Sequence, residues 1–309
     1  MNIQQPSYPP ELVTILDWIR YSISAFYQAG IFFGHGTDNE WDEASSLVFQ
    51  AINLPLDMPT VRQEALYNTH VTEAEKQLMA DWLQQRVELQ KPLPYITHQA
   101  WFAGMPFYVD ERVLIPRSPI AELILQGFTP YLNHEPKRIL DLCTGGGCIA
   151  IALANQFPDS MVDAADIDAD ALDVASMNIH EYQLEEQVIP LLSDLFLGLK
   201  GERYDLIVSN PPYVDAHDMA DLPAEFHHEP EHALAAGEDG LDLVEIMLQQ
   251  APDYMSDGAW LFVEVGNSEV HIASRFAGLQ LTWCELSQGG SGIFAIQKET
   301  LVTYWRDKN

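Results

Sequence analysis

One stretch constrains the fold of this chain more than any other. Ile139-Leu140-Asp141-Leu142 reads as a short strand, Cys143-Thr144-Gly145-Gly146-Gly147 as a turn, and a helix follows from Cys148. Glycines let a backbone turn tightly and pass close to a ligand. The helix start offers free N–H groups and the positive end of a dipole. From Ile139 onward the same alternation continues. Apolar runs at Ile139–Leu142, Met161–Ala165, Val188–Leu192, Leu206–Ser209 and Trp260–Val265 predict strands. Between them, Ile149–Gln156, Ala169–His180 and Leu241–Gln250 predict helices, and Leu281–Leu286 and Ile293–Gln297 supply two closing strands. Alternation of this kind builds an α/β fold with a mainly parallel sheet covered on both faces. Ligands of such sheets sit at the carboxyl ends of the strands.

The first third of the chain has a different period. Leu12, Ile15, Leu16, Ile19 and Ile23 fall at helical spacing after Pro10, and Gly30 is the stop. Asn39 is placed to cap a second helix. Thr72 with Glu75 forms a capping box for a helix that runs to Gln90, ended by Pro92 and Pro94. Residues 1–96 are therefore expected to form a small helical domain. Residues 97–116 form a connecting β-hairpin with its turn at Gly104-Met105-Pro106, and 117–309 form the α/β domain.

Composition excludes several classes. The 309 residues carry 15 basic and 46 acidic side chains, a formal charge of −31. A protein that grips DNA or RNA by its phosphates needs clustered Lys and Arg, so direct DNA binding is not expected. Three cysteines support neither a disulfide framework nor a four-cysteine zinc site. The opening MNIQQPSYPP lacks a basic-plus-apolar leader, and no apolar run reaches the ~18–20 residues of a membrane span. The expectation is a soluble cytoplasmic protein without membrane contact. Oligomeric state is not legible.

Two sequence features carry the chemistry. The first is the glycine loop with an acid at the end of the next strand, Asp166, suited to the two hydroxyls of a ribose. Gly145, Gly147 and Ala150, with Asp166 beyond, satisfy a dinucleotide fingerprint. The same residues are similar to the Asp-x-Gly-x-Gly-x-Gly signature of methyltransferases that use S-adenosylmethionine, with Cys143 in place of the first glycine.

The second feature separates these readings. Strand Tyr204–Ser209 runs straight into Asn210-Pro211-Pro212-Tyr213. Two prolines end the ladder and hold the chain extended, leaving carbonyls outward. The Asn210 side chain offers one acceptor and two donors, and Tyr213 a flat ring. Together they suit a planar group bearing an –NH2, a carboxamide or an exocyclic base amine. Accepting both hydrogens of such a nitrogen raises its electron density. Holding it in line with a sulfonium methyl adds positioning. No strong general base is evident, and a nicotinamide-dependent oxidoreductase leaves this segment without a role.

At these residues the chain resembles the amino-methyltransferases with an Asn-Pro-Pro-Tyr motif. Leu114-Ile115-Pro116-Arg117, Ser193-Asp194-Leu195-Phe196, and Glu229-Pro230 with Ala233-Leu234 and Gly237-x-x-Gly240 narrow the resemblance to the protein-glutamine N5-methyltransferases that modify translation proteins. It spans residues 97–298. The segment Gly30–Asp38 with Trp41-Asp42-Glu43-Ala44 resembles the branch acting on the third protein of the large ribosomal subunit, and the sister branch acts on peptide release factors. The resemblance implies a class I Rossmann-like methyltransferase with a seven-stranded sheet and S-adenosyl-L-methionine as cofactor. It implies that Asp141, Thr144, Gly145 and Gly147 line the methionine end, Asp166 the ribose, and Asp194 and Leu195 the adenine, where the sister branch often carries Trp in place of Leu195. Asn210 then binds both the cofactor side and the substrate amide, with Pro211, Pro212 and Tyr213 completing the catalytic clamp, and Arg117 holds the hairpin or touches ligand. The N-terminal part selects the protein substrate.

Residues 214–245 hold ten acids and no Lys or Arg. They form either a solvated face or a field that attracts a basic ribosomal protein, in which case catalysis weakens as salt rises. His228-Glu229-Pro230-Glu231-His232 matches a zinc-protease pattern, but Pro230 breaks the helix that pattern needs, so no metal is expected. Four rivals remain: a release-factor glutamine methyltransferase, a DNA adenine N6-methyltransferase, the NAD-dependent oxidoreductase, and a non-catalytic ribosome assembly factor.

Overall fold

The computed structural model describes residues 8–287 and 289–308. The chain divides into two compact units, one running to Gln99 and including Pro223–His228, the other comprising Ala100–Leu222 and the residues from Glu229 onward. Among the described residues no helix is long and apolar enough to cross a membrane.

The first unit contains α1 (Ile15–Ala29), α2 (Glu40–Ala51), α3 (Thr60–Leu66), α4 (Glu73–Glu88) and α5 (Leu93–Thr97). Helix α1 starts later than its apolar spacing suggests. Thr14 and Asp17 form a reciprocal capping box there, and Gly30 closes the helix in the left-handed conformation at φ 66°. Asn39 and the Thr72–Glu75 box cap α2 and α4 as expected. Pro92 and Pro94 do not simply end α4. They open α5, because the first turn of a helix needs no backbone donors. Trp18, Ile19, Phe26, Leu47, Val48, Phe49, Met79 and Leu83 form the core. Beside them lies a fully buried Arg86. It donates to Glu43, to Glu225 at 3.3 Å and to the Phe32 carbonyl at 2.8 Å. A buried guanidinium is tolerable only when its donors are matched in this way.

The second unit begins with a hairpin, β1 (Gln99–Phe102) and β2 (Met105–Tyr108). Its turn is Ala103-Gly104, both at positive φ (49° and 77°), the geometry that matches strand twist, rather than Gly104-Met105-Pro106. After α6 (Ile120–Leu125) come β3 (Arg138–Leu142), α7 (Cys148–Gln156), β4 (Met161–Asp166), α8 (Ala169–Glu181), β5 (Val188–Leu192) and β6 (Tyr204–Ser209). They are followed by α9 (Ala216–Ala220), α10 (Asp242–Gln250), β7 (Met255–Glu264), α11 (Glu269–Arg275), β8 (Thr282–Trp283), β9 (Ile293–Gln297) and α12 (Lys298–Lys308). Of the expected 281–286 strand, only Thr282 and Trp283 pair in the sheet.

Among the described residues the sheet has seven strands in the order β5-β4-β3-β6-β7-β9-β8. β3 to β7 are parallel, and β9 is antiparallel to both neighbours. Alternate residues serve opposite faces. Ile139, Val162, Leu206 and Phe262 pack with α6 and α7, while Leu140, Ile207, Leu261 and Phe294 pack with α10 and α12. Strands buried on both faces are apolar throughout, which is why they read as continuous runs. The chain leaves β3 for β4 and β5, then returns to place β6 on the other side of β3. Leu142 pairs with Ser209 across this reversal, so the segments after β3 and β6 emerge side by side. The crevice at such a reversal is where sheets of this type bind ligands.

Candidate active site

One wall is the loop after β3. Cys143, Gly145 and Gly147 all adopt positive φ (64°, 52° and 81°). Cys143 therefore occupies a position that favours glycine, at a cost of roughly 1 kcal/mol. Gly147 opens α7, and a Cβ on it would lie 3.1 Å from the Ala175 Cβ, so this glycine lets α7 approach α8. Asn178 of α8 donates to the Gly146 carbonyl at 2.8 Å and to the Tyr108 carbonyl at 3.1 Å, tying the loop to the hairpin.

Asp141 is fully buried beneath the loop. Its Oδ2 accepts from the Thr144 hydroxyl and from the Ala150 N–H at 3.0 Å. Its Oδ1 has no hydrogen-bond partner among the described residues. Burial pushes the carboxyl up to about 7, against the opposing pull of those two hydrogen bonds. Asp166 accepts from the Gly145 N–H at 2.8 Å and the Asp168 N–H at 3.0 Å. Burial raises its carboxyl as well.

The other wall follows β6. Ser209 fixes its start by donating to the Leu142 carbonyl at 2.6 Å. Asn210 Oδ1 is buried and has no hydrogen-bond partner among the described residues. The Tyr213 hydroxyl donates to Glu264 Oε1 at 2.9 Å, and its carbonyl accepts from the Ser268 hydroxyl at 2.9 Å. Two glycines make room for it. A Cβ on Gly266 would lie 2.5 Å from the Tyr213 ring, and one on Gly240 would lie 2.2 Å from the Tyr213 carbonyl oxygen. Burial pushes both the Tyr213 hydroxyl and the Glu264 carboxyl up. Nearby, Arg117 grips Glu229 with both arms, at 2.6 and 2.8 Å, and the Ile115 N–H donates to the same carboxylate at 3.0 Å.

A cavity of about 310 Å3 lies between these walls. Of the residues expected at the site, Thr144, Gly145, Asp166, Asp194, Leu195, Asn210 and Pro212 line it, and so do Cys143 and Arg117. Asp141, Gly147, Pro211 and Tyr213 stand behind it: none of them lines the cavity. Sequence reasoning did not find the apolar lining of Phe102, Val113, Leu114, Ile149 and Leu243, nor Ser118 and His232. His232 Nε2 stands 3.0 Å from Asp168 Oδ2. Glu264 was also missed, although a lone acid closing the apolar run of β7 was a readable signal.

Sheet order, the glycine loop at the reversal and the cavity beside it define a class I Rossmann-like methyltransferase. Residues 121–257 match the methyltransferase small domain family. A solved structure, the hMettl16 catalytic domain in complex with MAT2A 3'UTR hairpin 1, shares the fold at a TM-score of 0.50, with 17% identity over 81% of this chain and 89% of that one.

Two curated relatives span nearly the whole chain, and both are named ribosomal protein uL3 glutamine methyltransferase. The protein from Francisella tularensis is 46% identical over 295 residues, 95% of this chain and 93% of that one. The protein from Neisseria meningitidis is 45% identical over 294 residues, 94% and 95% respectively. The chain belongs to this family of glutamine methyltransferases.

Proposed function

We propose that this protein transfers a methyl group from S-adenosylmethionine to the side-chain amide nitrogen of a glutamine in ribosomal protein uL3. The observation that carries the reading is Asn210. Its side-chain oxygen is a buried acceptor without a partner among the described residues, on a residue that lines the cavity opposite the glycine loop. Burying a polar atom without a hydrogen bond costs about 1–3 kcal/mol. A ligand amide that donates to it recovers that cost.

The residues present fit the cofactor. Asp141 Oδ1, behind the lining, is a second buried acceptor without a partner among the described residues. Among the described residues, no atom beyond its chain neighbours lies within 4 Å of where a Gly145 Cβ would stand, so the loop is open beside its backbone. Thr144 and Gly145, with Asp141 behind them, would hold the methionine end, Asp166 the ribose, and Asp194 and Leu195 the adenine. When bound, the cofactor supplies an electrophilic methyl group on a sulfonium. Asn210 Oδ1 accepts a hydrogen of the substrate amide, while Pro211 stands behind the lining. This concentrates electron density on the nitrogen and fixes its direction of approach. Pro212 closes the wall beside it.

The N-terminal unit, by this reading, selects the protein substrate. The attraction of the 214–245 segment for a basic partner is weaker than the raw acid count suggests. Of the ten acids in 214–245, Glu225 pairs with Arg86, Glu229 with Arg117, and Asp239, Asp242 and Glu245 with Arg275. Only the remaining half is available to a partner, so the salt dependence is shallow.

The test is mass spectrometry of unmodified uL3 and of peptide release factors after incubation with methyl-labelled cofactor. Label on a glutamine amide of uL3 is expected. Label on a release factor alone, or on neither, overturns the reading.

A further inference from the structure

The glutamine site has a residue behind it whose place suggests a role in the reaction. Glu264, at the carboxyl end of β7, is buried and lies outside the cavity lining. One oxygen accepts from the Tyr213 hydroxyl at 2.9 Å, and the other accepts from the Ser118 hydroxyl. Ser118 closes the Pro116-Arg117-Ser118 segment, which lines the cavity, and Tyr213 closes the Asn210–Tyr213 segment, which contributes Asn210 and Pro212 to it. A single carboxylate thus joins two stretches of cavity wall that lie far apart in sequence. The backbone reinforces this arrangement. Ser268 holds the Tyr213 carbonyl, and the absence of a Cβ at Gly240 and Gly266 lets the Tyr213 carbonyl and ring pack close against them. Arg117 hydrogen-bonds Glu229 and its charge also bears on Glu264, whose two oxygens accept from the neutral hydroxyls of Tyr213 and Ser118.

We propose that Glu264 is a positioning residue for methyl transfer. By accepting from Tyr213 and Ser118 together, it immobilises the Asn210–Tyr213 segment so that Asn210 Oδ1 stands fixed where the substrate amide arrives. The proposal rests on the glutamine-methylating reading above. On this view Tyr213 acts as the anchor of the clamp through its hydroxyl, and its ring is spent on packing against Gly266. Positioning of this kind changes turnover more than ground-state binding, because only the reacting geometry is sensitive to small displacements.

The experiment uses the full chain with S-adenosylmethionine and unmodified uL3. The variants are Tyr213→Phe, Ser118→Ala, Glu264→Gln, Glu264→Ala and the Tyr213→Phe/Glu264→Ala pair. Tyr213→Phe is expected to lower kcat by about 10- to 100-fold, the loss of one hydrogen bond to a buried charged group. Cofactor affinity by calorimetry stays within about threefold, since the cofactor wall is untouched. Glu264→Gln, which keeps an acceptor for Tyr213, retains more activity than Glu264→Ala. Adding Tyr213→Phe to Glu264→Ala costs nothing further. Hydrogen exchange of a peptide covering 209–215 speeds up in Tyr213→Phe. Unchanged kcat in Tyr213→Phe, multiplying losses in the pair, or unchanged exchange overturns the proposal. Should Glu264→Ala not fold, Tyr213→Phe and Ser118→Ala break the same two hydrogen bonds from the other side and decide the matter by the same measurements. Absence of methyl transfer by the wild-type protein overturns the functional reading instead, and exchange then decides whether Glu264 holds the segment.

Discussion

The two walls of the cavity are built by opposite means. The wall after β3 is made by the backbone: positive φ at Cys143, Gly145 and Gly147 shapes it, with the buried Asp141 carboxyl behind it and the half-buried Asp166 lining it. Among the described residues each wall leaves one buried acceptor without a partner. Asp141 leaves an oxygen orphaned, and both Asp141 and Asp166 hold their protons more tightly than ordinary carboxyls do. The wall after β6 is made by side chains that satisfy one another. Tyr213, Glu264, Ser118 and Ser268 are all engaged, and the exception is a single oxygen on Asn210. A site that must bind a large charged cofactor benefits from latent acceptors that the ligand completes. A site that must orient one small amide benefits from rigidity with one free contact. The two walls should therefore fail differently when altered.

The largest effect is expected at the rigid wall. Asn210→Ala should lower kcat by about 100- to 1000-fold, the range seen when a preorganised hydrogen-bonding group at a reacting centre is removed. Isothermal titration with the cofactor should show little change. A variant that loses cofactor affinity and keeps kcat would erase the distinction between the walls.

A smaller effect, in the opposite parameter, is expected at the backbone-built wall. Asp166→Asn should weaken cofactor binding by about 10- to 30-fold through loss of charge-assisted hydrogen bonds. Its kcat at saturating cofactor should be nearly unchanged. Equal losses in both constants would show that Asp166 also shapes the reacting geometry.

The third effect is on stability and leaves turnover aside. Asp141 holds its proton to about 7 in the folded chain, against an ordinary value of 3.8. Between those values the folded state keeps a proton that the unfolded state releases. Stability of the cofactor-free protein therefore falls as pH rises through that window, by up to about 1.4 kcal/mol per pH unit from this residue. Asp141→Asn removes that contribution. Urea unfolding at a series of pH values between about 4 and 8, the span of that window, should give a flatter curve for the variant. An unchanged curve would mean that Asp141 is not the strained group of its wall.

The sequence carried much of this architecture by itself. Strands buried on both faces need apolar residues at every position, so β3 to β7 were readable from Ile139 onward. The capping box at Thr72 and the stop at Gly30 were local chemistry and equally plain. Where a competing local signal existed, reading was poorer. Thr14 and Asp17 outbid the apolar spacing that begins at Leu12, and the Ala103-Gly104 turn was hidden because alanine seldom takes positive φ.

The motif residues were visible in the sequence, but their division of labour was not. Nothing local tells that Asp141 and Tyr213 stand behind the cavity while Cys143, Leu195 and Pro212 line it, because that depends on which side of a loop faces the crevice. Nor does sequence separation reveal that Glu264 lies 2.9 Å from a hydroxyl 51 positions earlier, or that Glu229 neutralises Arg117. Hydrophobic period and turn chemistry act over a few residues and are written in the chain's order. Hydrogen-bond satisfaction of buried polar groups is settled only when distant strands are brought into register.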